Sequence, residues 1–142
     1  MASDCIFCQI VDGEIPARIV HETDDVVAFL DANPLAPAHT LVVPKAHYPR
    51  LNDVPAAEAQ ALYDVLHAVI PAAETAANAP ASTVAFNNGS EAGQEVPHVH
   101  GHVVPRFADD GGRPIHGVAG TPPDLTEDEL DALASRVSGA LD

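Results

Sequence analysis

An antiparallel sheet with helices packed on it, in the α+β class, is the fold this sequence predicts. Three observations carry that prediction. Short apolar or alternating runs cluster before Pro44 and again between Ser82 and Val104. Helical spacing appears between those clusters and after them, without a regular βαβ alternation. There is no glycine-rich strand-to-helix turn, so a dinucleotide-binding fold is not supported. At 142 residues the chain fits one domain, spanning 1–142, and can bury a sizeable core.

The elements follow in order. Cys5–Val11 is a short apolar stretch that starts as a helical turn, and Asp12-Gly13-Glu14-Ile15-Pro16 reads as a turn. Arg18–Glu22 and Val26–Asp31 read as strands about the Thr23-Asp24-Asp25 turn. Asn33–Ala38, with two prolines, is a loop. Thr40–Val43 is apolar and partly β-branched, a buried strand stopped by Pro44. Asp53 is positioned to cap a long helix with Pro55 in its first turn. Ala59, Leu62, Tyr63, Leu66, Val69, Ile70 and Ala73 recur along that helix at helical spacing, and Pro71 should kink or break it. Ser82–Phe86 is a strand, and a polar glycine-bearing segment runs from Asn87 to Glu95. His98–Val104 alternates strictly and is the last strand. Asp109–Pro123 is a loop rich in Gly and Pro. Thr126 and Glu129 form a capping box for a closing helix over 126–141, with Leu130, Leu133, Val137 and Leu141 on one face.

Charge narrows the function. Six Lys and Arg stand against 21 Asp and Glu, a formal net charge of -15. That field repels nucleic acid and anionic membranes, whereas backbone N–H groups and histidines can still hold one phosphate locally. Such acidity suggests adaptation to high salt, where cations screen the self-repulsion. Met1 is not followed by a charged-then-apolar leader, and the apolar runs are too short to span a bilayer. A soluble, cytoplasmic protein is expected.

His98, His100 and His102 stand at period two, so they share one strand face, with Val99, Gly101 and Val103 on the other. Same-face neighbours lie about 7 Å apart, close enough to share a site. The pattern admits a solvent-facing strand, a catalytic zinc on a His-x-His pair, or covalent catalysis by one imidazole. Imidazole suits the last because it is partly neutral near pH 7 and nucleophilic. Cys5-Ile6-Phe7-Cys8 is a Cys-x-x-Cys pair. Structural zinc needs four ligands, and His47 and His98 are the chosen partners among the eight histidines. Two reduced cysteines in a core turn is the alternative; a redox pair is disfavoured without a βαβ context. His21, His67 and His116 read as ordinary surface or helix histidines.

These pieces together resemble the histidine triad superfamily of nucleotide hydrolases and transferases, in its zinc-bearing branch. The resemblance runs from Cys5 to about Arg106. It rests on Cys5–Cys8, Gly13-Glu14-Ile15-Pro16, Ala28-Phe29-Leu30-Asp31, His39–Lys45 with His47, and Ala92-Gly93-Gln94 running into His98-Val99-His100-Gly101-His102. The resemblance implies that His100 attacks the α-phosphorus of a nucleotide and forms a nucleotidyl-histidine intermediate. His102 becomes its phosphate-side partner, and His39 supports the triad. Asp31 would bind the ribose hydroxyls, and Ile6, Phe7 and Phe29 would wall the base. Asn87, Gly93 and Gln94, with Glu95 and Val96, would line the phosphate and leaving-group side. Cys5, Cys8, His47 and His98 match the ligands of a structural zinc, with no cofactor required for the chemistry.

The resemblance further implies a purine nucleotide substrate such as an AMP derivative, either a phosphoramidate or a dinucleoside polyphosphate. It also implies a homodimer with sheets joined across the interface. A zinc-dependent hydrolase using triad histidines and a non-catalytic nucleotide-binding protein are the competing functions. Two positions depart from the pattern. Glu95 stands where a small hydroxyl residue is usual, and Gly101 where an aliphatic one is, which predicts a less filled back face at that strand. The chain has no Trp, so a tryptophan-closed leaving-group pocket is absent.

Overall fold

The computed structural model describes residues 4–141. They fall into two compact units, one ending at Asp110 and the other beginning at Gly111. In the first, a short helix α1 (Ile6–Val11) precedes strands β1 (Ile19–Glu22), β2 (Val26–Leu30) and β3 (Thr40–Pro44). Helix α2 (Ala56–Ala77) leads to β4 (Ala81–Phe86) and β5 (Gly101–Arg106). The five strands form one sheet in the order β1-β2-β3-β5-β4, antiparallel at every step.

The alternation of side chains in this sheet feeds two cores. Val26, Ala28, Val42 and Val103 pack on Leu62, Val65, Leu66, Val69 and Ala73 of α2. Val27, Phe29, Leu41 and Val43 point the other way and pack with Phe7, Cys8 and Ile10 of α1. Both sheet faces are therefore apolar in the centre, which is why β2 and β3 read as nearly continuous apolar runs. His102 pairs with Leu41, so it lies on the α1 side.

Several expectations are corrected. The last strand begins at Gly101; His98 lies in a bend, and Val99 and His100 lead from it to the strand outside the ladder. Asp53 caps a 3-10 turn (Leu51–Asp53), accepting from the Arg50 amide, and α2 starts after Pro55. Pro71 does not end α2, which continues to Ala77. Pro71 and His67 both lie on the exposed face, so the His67 carbonyl that loses its partner can bond to water. Tyr63 faces solvent, and Val65 takes the core position instead. Among the described residues no helix is long and apolar enough to cross a membrane.

In the second unit, α3 (Glu127–Leu141) is capped as expected: Glu129 N–H donates to Thr126 Oγ1 and Thr126 N–H to Glu129 Oε1. Its apolar stripe is not buried. Leu130, Leu133, Val137 and Leu141 are all exposed. The preceding loop also contains a 3-10 turn, Ile115–Gly117.

Gly101 has a structural reason. A Cβ there would stand 2.7 Å from the tip of the Phe86 ring, the residue paired with it across β4–β5. The back face is filled by the neighbour's ring, which corrects the expectation of a gap. Gly101→Val should therefore overpack and cost about 1–3 kcal/mol. Chemical denaturation of a cycle with Phe86→Ala checks this: the two substitutions should be less harmful together than their sum. Strict additivity would refute the steric account.

Candidate active site

Cys5 is the N-cap of α1, and its Sγ accepts the Cys8 N–H at 3.4 Å. This cap turns both thiols to one side. His98 Nδ1 stands 3.4 Å from Cys5 Sγ and 3.5 Å from Cys8 Sγ. His47 Nδ1 lies 3.3 Å from Cys8 Sγ and 3.2 Å from His98 Nδ1. Donor atoms of all four residues fall within 4.8 Å of one another. A tetrahedral zinc has S···N edges of about 3.6 Å and N···N edges of about 3.3 Å, given its usual bond lengths. The observed separations match those edges. His98 Nε2–H donates to the Pro44 carbonyl at 2.8 Å, which leaves Nδ1 with its lone pair facing the thiols. Burial pushes the Cys8 thiol up to about 11, assisted by Cys5, so a cation is what would hold the pair as thiolates. These residues fit a four-ligand metal site.

The same chain segment carries the other imidazoles. His100 Nδ1–H donates to the His98 carbonyl at 2.8 Å. Its Nε2 is therefore the lone-pair nitrogen. The Phe7 ring meets His100 edge-on at 5.0 Å between centroids and His98 at 5.8 Å. His98 is 0% exposed and His100 8%, which overturns the reading of a solvent-facing histidine strand.

His39, 2% exposed, supports the third imidazole. The Leu35 amide donates to His39 Nδ1 at 3.1 Å. An amide can only donate, so the proton of neutral His39 sits on Nε2. That nitrogen lies 3.0 Å from His102 Nδ1 and 3.7 Å from Asp31 Oδ2. His102 Nδ1 thus accepts, and its Nε2 must carry a hydrogen. This Nε2 is buried and has no hydrogen-bond partner among the described residues. An unmet donor of this kind costs about 1–3 kcal/mol, and it sits beside His100, 4.9 Å away between ring centroids. Asp31, His39 and His102 also lie within metal-binding reach of one another. A cation there would need the His39 Nε2 lone pair, which the Leu35 amide denies.

The remaining predicted residues take these places. Phe7 and Phe29 stack edge to face inside the α1-side core, while Ile6 is exposed above them. Asp31 Oδ1 accepts from the Asn33 amide. Asn87 leaves the sheet directly after Phe86, whose ladder partner Gly101 follows His100. Gly93 has φ 96°, a conformation that favours glycine. Gln94 is turned inward: its Nε2 donates to the Pro49 and Val96 carbonyls, and its Oε1 accepts from Gly89 N–H. Glu95 is exposed, and with Val96, Ile6 and His47 it lines a cleft of about 300 Å³. His21, His67 and His116 stand outside both histidine clusters. Sequence reasoning missed Leu35, Pro44, Arg50 and Asn88, the first two of which act through backbone groups.

Residues 12–109 match the family model described as the HIT domain. The chain belongs to the HIT domain family. An uncharacterized HIT-like protein of Methanocaldococcus jannaschii is 46% identical over 109 residues, covering 75% of this chain and 82% of that protein. The purine nucleoside phosphoramidase of Escherichia coli is 38% identical over 116 residues, covering 81% and 92%. A crystal structure of a HIT family protein from Bacillus anthracis superposes with a TM-score of 0.84 at 30% identity, covering both chains fully. The antiparallel sheet with its helices is thus the HIT architecture.

Protonation of this HIT site is governed by burial. It lowers His102 to about 4, with repulsion from His100 and His39 adding to it and Asp31 opposing. Burial lowers His39 and His98 as well. In the unfolded chain His102 takes up a proton near 6.5, so between about pH 6.5 and 4 the unfolded state binds more protons. Stability from this group is full above that window and is lost as pH falls through it. Denaturation at about pH 7.5 and 4.5 should show the wild type losing roughly 2–3 kcal/mol more than His102→Gln. Equal losses in both proteins would show that His102 is not held neutral.

Proposed function

We propose that this HIT protein cleaves a nucleoside monophosphate unit from an amine or phosphate leaving group through a nucleotidyl-histidine at His100. The observation that carries the reading is the tautomer pair. His100 is anchored at Nδ1 and bare at Nε2, while His102 beside it offers an unmet Nε2–H. A nucleophile and a donor for the developing phosphoryl charge are what displacement at phosphorus requires. His100 Nε2 forms a bond to phosphorus as the bond to the leaving group breaks. The His98 carbonyl, accepting from Nδ1, stabilises the resulting positive imidazole. An amine departs in that step as the neutral amine from its N-protonated form, a phosphate as its anion; water then displaces His100, its hydroxyl staying on phosphorus and its proton passing to solvent. Asp31, with the ribose, and Ile6, with the base, orient the nucleotide. The phosphoramidase activity named for the E. coli relative supports a purine phosphoramidate.

The four-ligand cluster fits zinc, and its role is structural because no ligand position is left open to substrate. Cys5, Cys8, His47 and His98 would hold the ion, tying α1 to the segment that carries His100. β4 is a sheet edge with Val84 exposed, and its free side supports the pairing of two copies.

Intact mass spectrometry after brief exposure to an adenosine phosphoramidate tests the chemistry. Wild type should gain the mass of an AMP moiety in an acid-labile adduct. His100→Ala should gain none and lose at least about a thousandfold in kcat/KM, while still binding AMP. AMP release by the mutant at wild-type rate would exclude His100. Native mass spectrometry should show two chains with one zinc each, and chelation should lower Tm before activity disappears. Immediate loss of turnover in a fully folded, chelated protein would favour a catalytic metal instead.

A further inference from the structure

The segment after β3 does more than carry His47. Its next residues, Tyr48 to Asn52, are laced to both the histidine segment and the Asn87–Gln94 loop. The Tyr48 carbonyl accepts from the Val99 amide at 2.8 Å, and the Pro49 carbonyl from Gln94 Nε2 at 2.6 Å. Asn88 sits at the centre. Its Oδ1 accepts the Leu51 amide at 2.8 Å, the first donor of the Leu51–Asp53 turn. Its Nδ2 donates to Asn52 Oδ1 at 3.1 Å, and its carbonyl accepts from the Arg50 guanidinium at 3.3 Å. Arg50 also lies against Gly89, where a Cβ would come within 3.4 Å of the guanidinium carbon. Gly89, at φ 105°, turns the loop, and its amide is fixed by Gln94 Oε1.

We propose that Asn88 is a positioning residue: it tethers the loop beside His100 to the Arg50–Asn52 turn and so sets affinity for the phosphate of the substrate. The inference rests on the nucleotide reading above. Asn88 uses both side-chain polar groups on the turn, which makes its role one of holding the loop. The loop it holds begins at Asn87, the residue after Phe86, whose ladder partner Gly101 directly follows His100. With both anchoring bonds in place, Gly89 to Gln94 keep one shape before substrate arrives, which lowers the ordering cost of binding. Without them the loop amides must be ordered by the ligand. The effect belongs in binding, because neither the His100 nor the His102 hydrogen bonds pass through Asn88.

Three measurements on the full-length, metal-loaded protein test this: AMP titration by calorimetry, amide exchange across Gly89–Gln94, and kcat and KM with an adenosine phosphoramidate. Asn88→Ala removes both side-chain bonds. It should weaken AMP about tenfold and raise KM similarly, with kcat within about twofold, if each bond is worth about 0.5–1.5 kcal/mol. Exchange at Gly89–Gln94 should accelerate while α2 stays protected. Asn52→Ala removes one bond only and should give a smaller change in the same direction, about two- to fivefold; it carries the test if Asn88→Ala does not fold. Wild-type AMP affinity and loop exchange in the variant, beside a wild type that binds AMP, would overturn this proposal alone. Loss in kcat with KM unchanged would also overturn it. No AMP binding by the wild type would overturn the nucleotide reading and this proposal with it.

Discussion

The hydrogen bond from His100 Nδ1–H to the carbonyl of His98, two residues earlier, is the constraint on which the rest of the site depends. It decides which nitrogen of His100 carries the free lone pair. The carbonyl belongs to the bend that precedes the ladder, where it is not committed to a strand partner. The other imidazoles are fixed in the same way. Pro44 settles His98, Leu35 settles His39, and His39 in turn settles His102. Backbone groups have one role each, donor or acceptor, so the tautomers follow without ambiguity.

Burial of these rings has a cost that the sheet offsets. Apolar side chains on both faces of β2 and β3 close two cores around them, and Phe7 seals His98 and His100 edge-on. Water is thereby kept from competing for the hydrogen bonds, and each bond is stronger in that medium. The same burial keeps His39 and His102 neutral, which a donor-acceptor relay requires. Among the described residues one buried side-chain donor, His102 Nε2, remains unmet. A residue that carries such a deficit in the free protein gains when an anionic oxygen arrives.

The Cys5/Cys8/His47/His98 cluster and the Asn87–Gln94 loop are connected through one short piece of chain. His47 belongs to the cluster, and the next five residues hold the histidine segment and the loop. His98 belongs to the cluster through its side chain and to His100 through its carbonyl. His98 is thus the residue through which the amino-terminal turn and His100 are joined.

Much of this was legible in the sequence. The period-two histidines, the Cys-x-x-Cys pair and the apolar runs of β2 and β3 announce a histidine-bearing strand region, a thiol pair and a sheet, because residue type and spacing encode those directly. The Thr126–Glu129 box placed the start of α3 for the same reason. What the sequence could not decide is where backbone groups point. The start of β5 at Gly101, the fit of Phe86 over that glycine, and the inward turn of Gln94 depend on cross-strand register and on loop closure. The exposed face of α3 has a helical pattern that a buried helix would share. By itself, then, the sequence determined the chemical inventory, three triad imidazoles with two thiols and a fourth histidine near them. Only the tertiary structure decided which nitrogen of each ring is free, because that rests on carbonyls and amides brought together from distant parts of the chain.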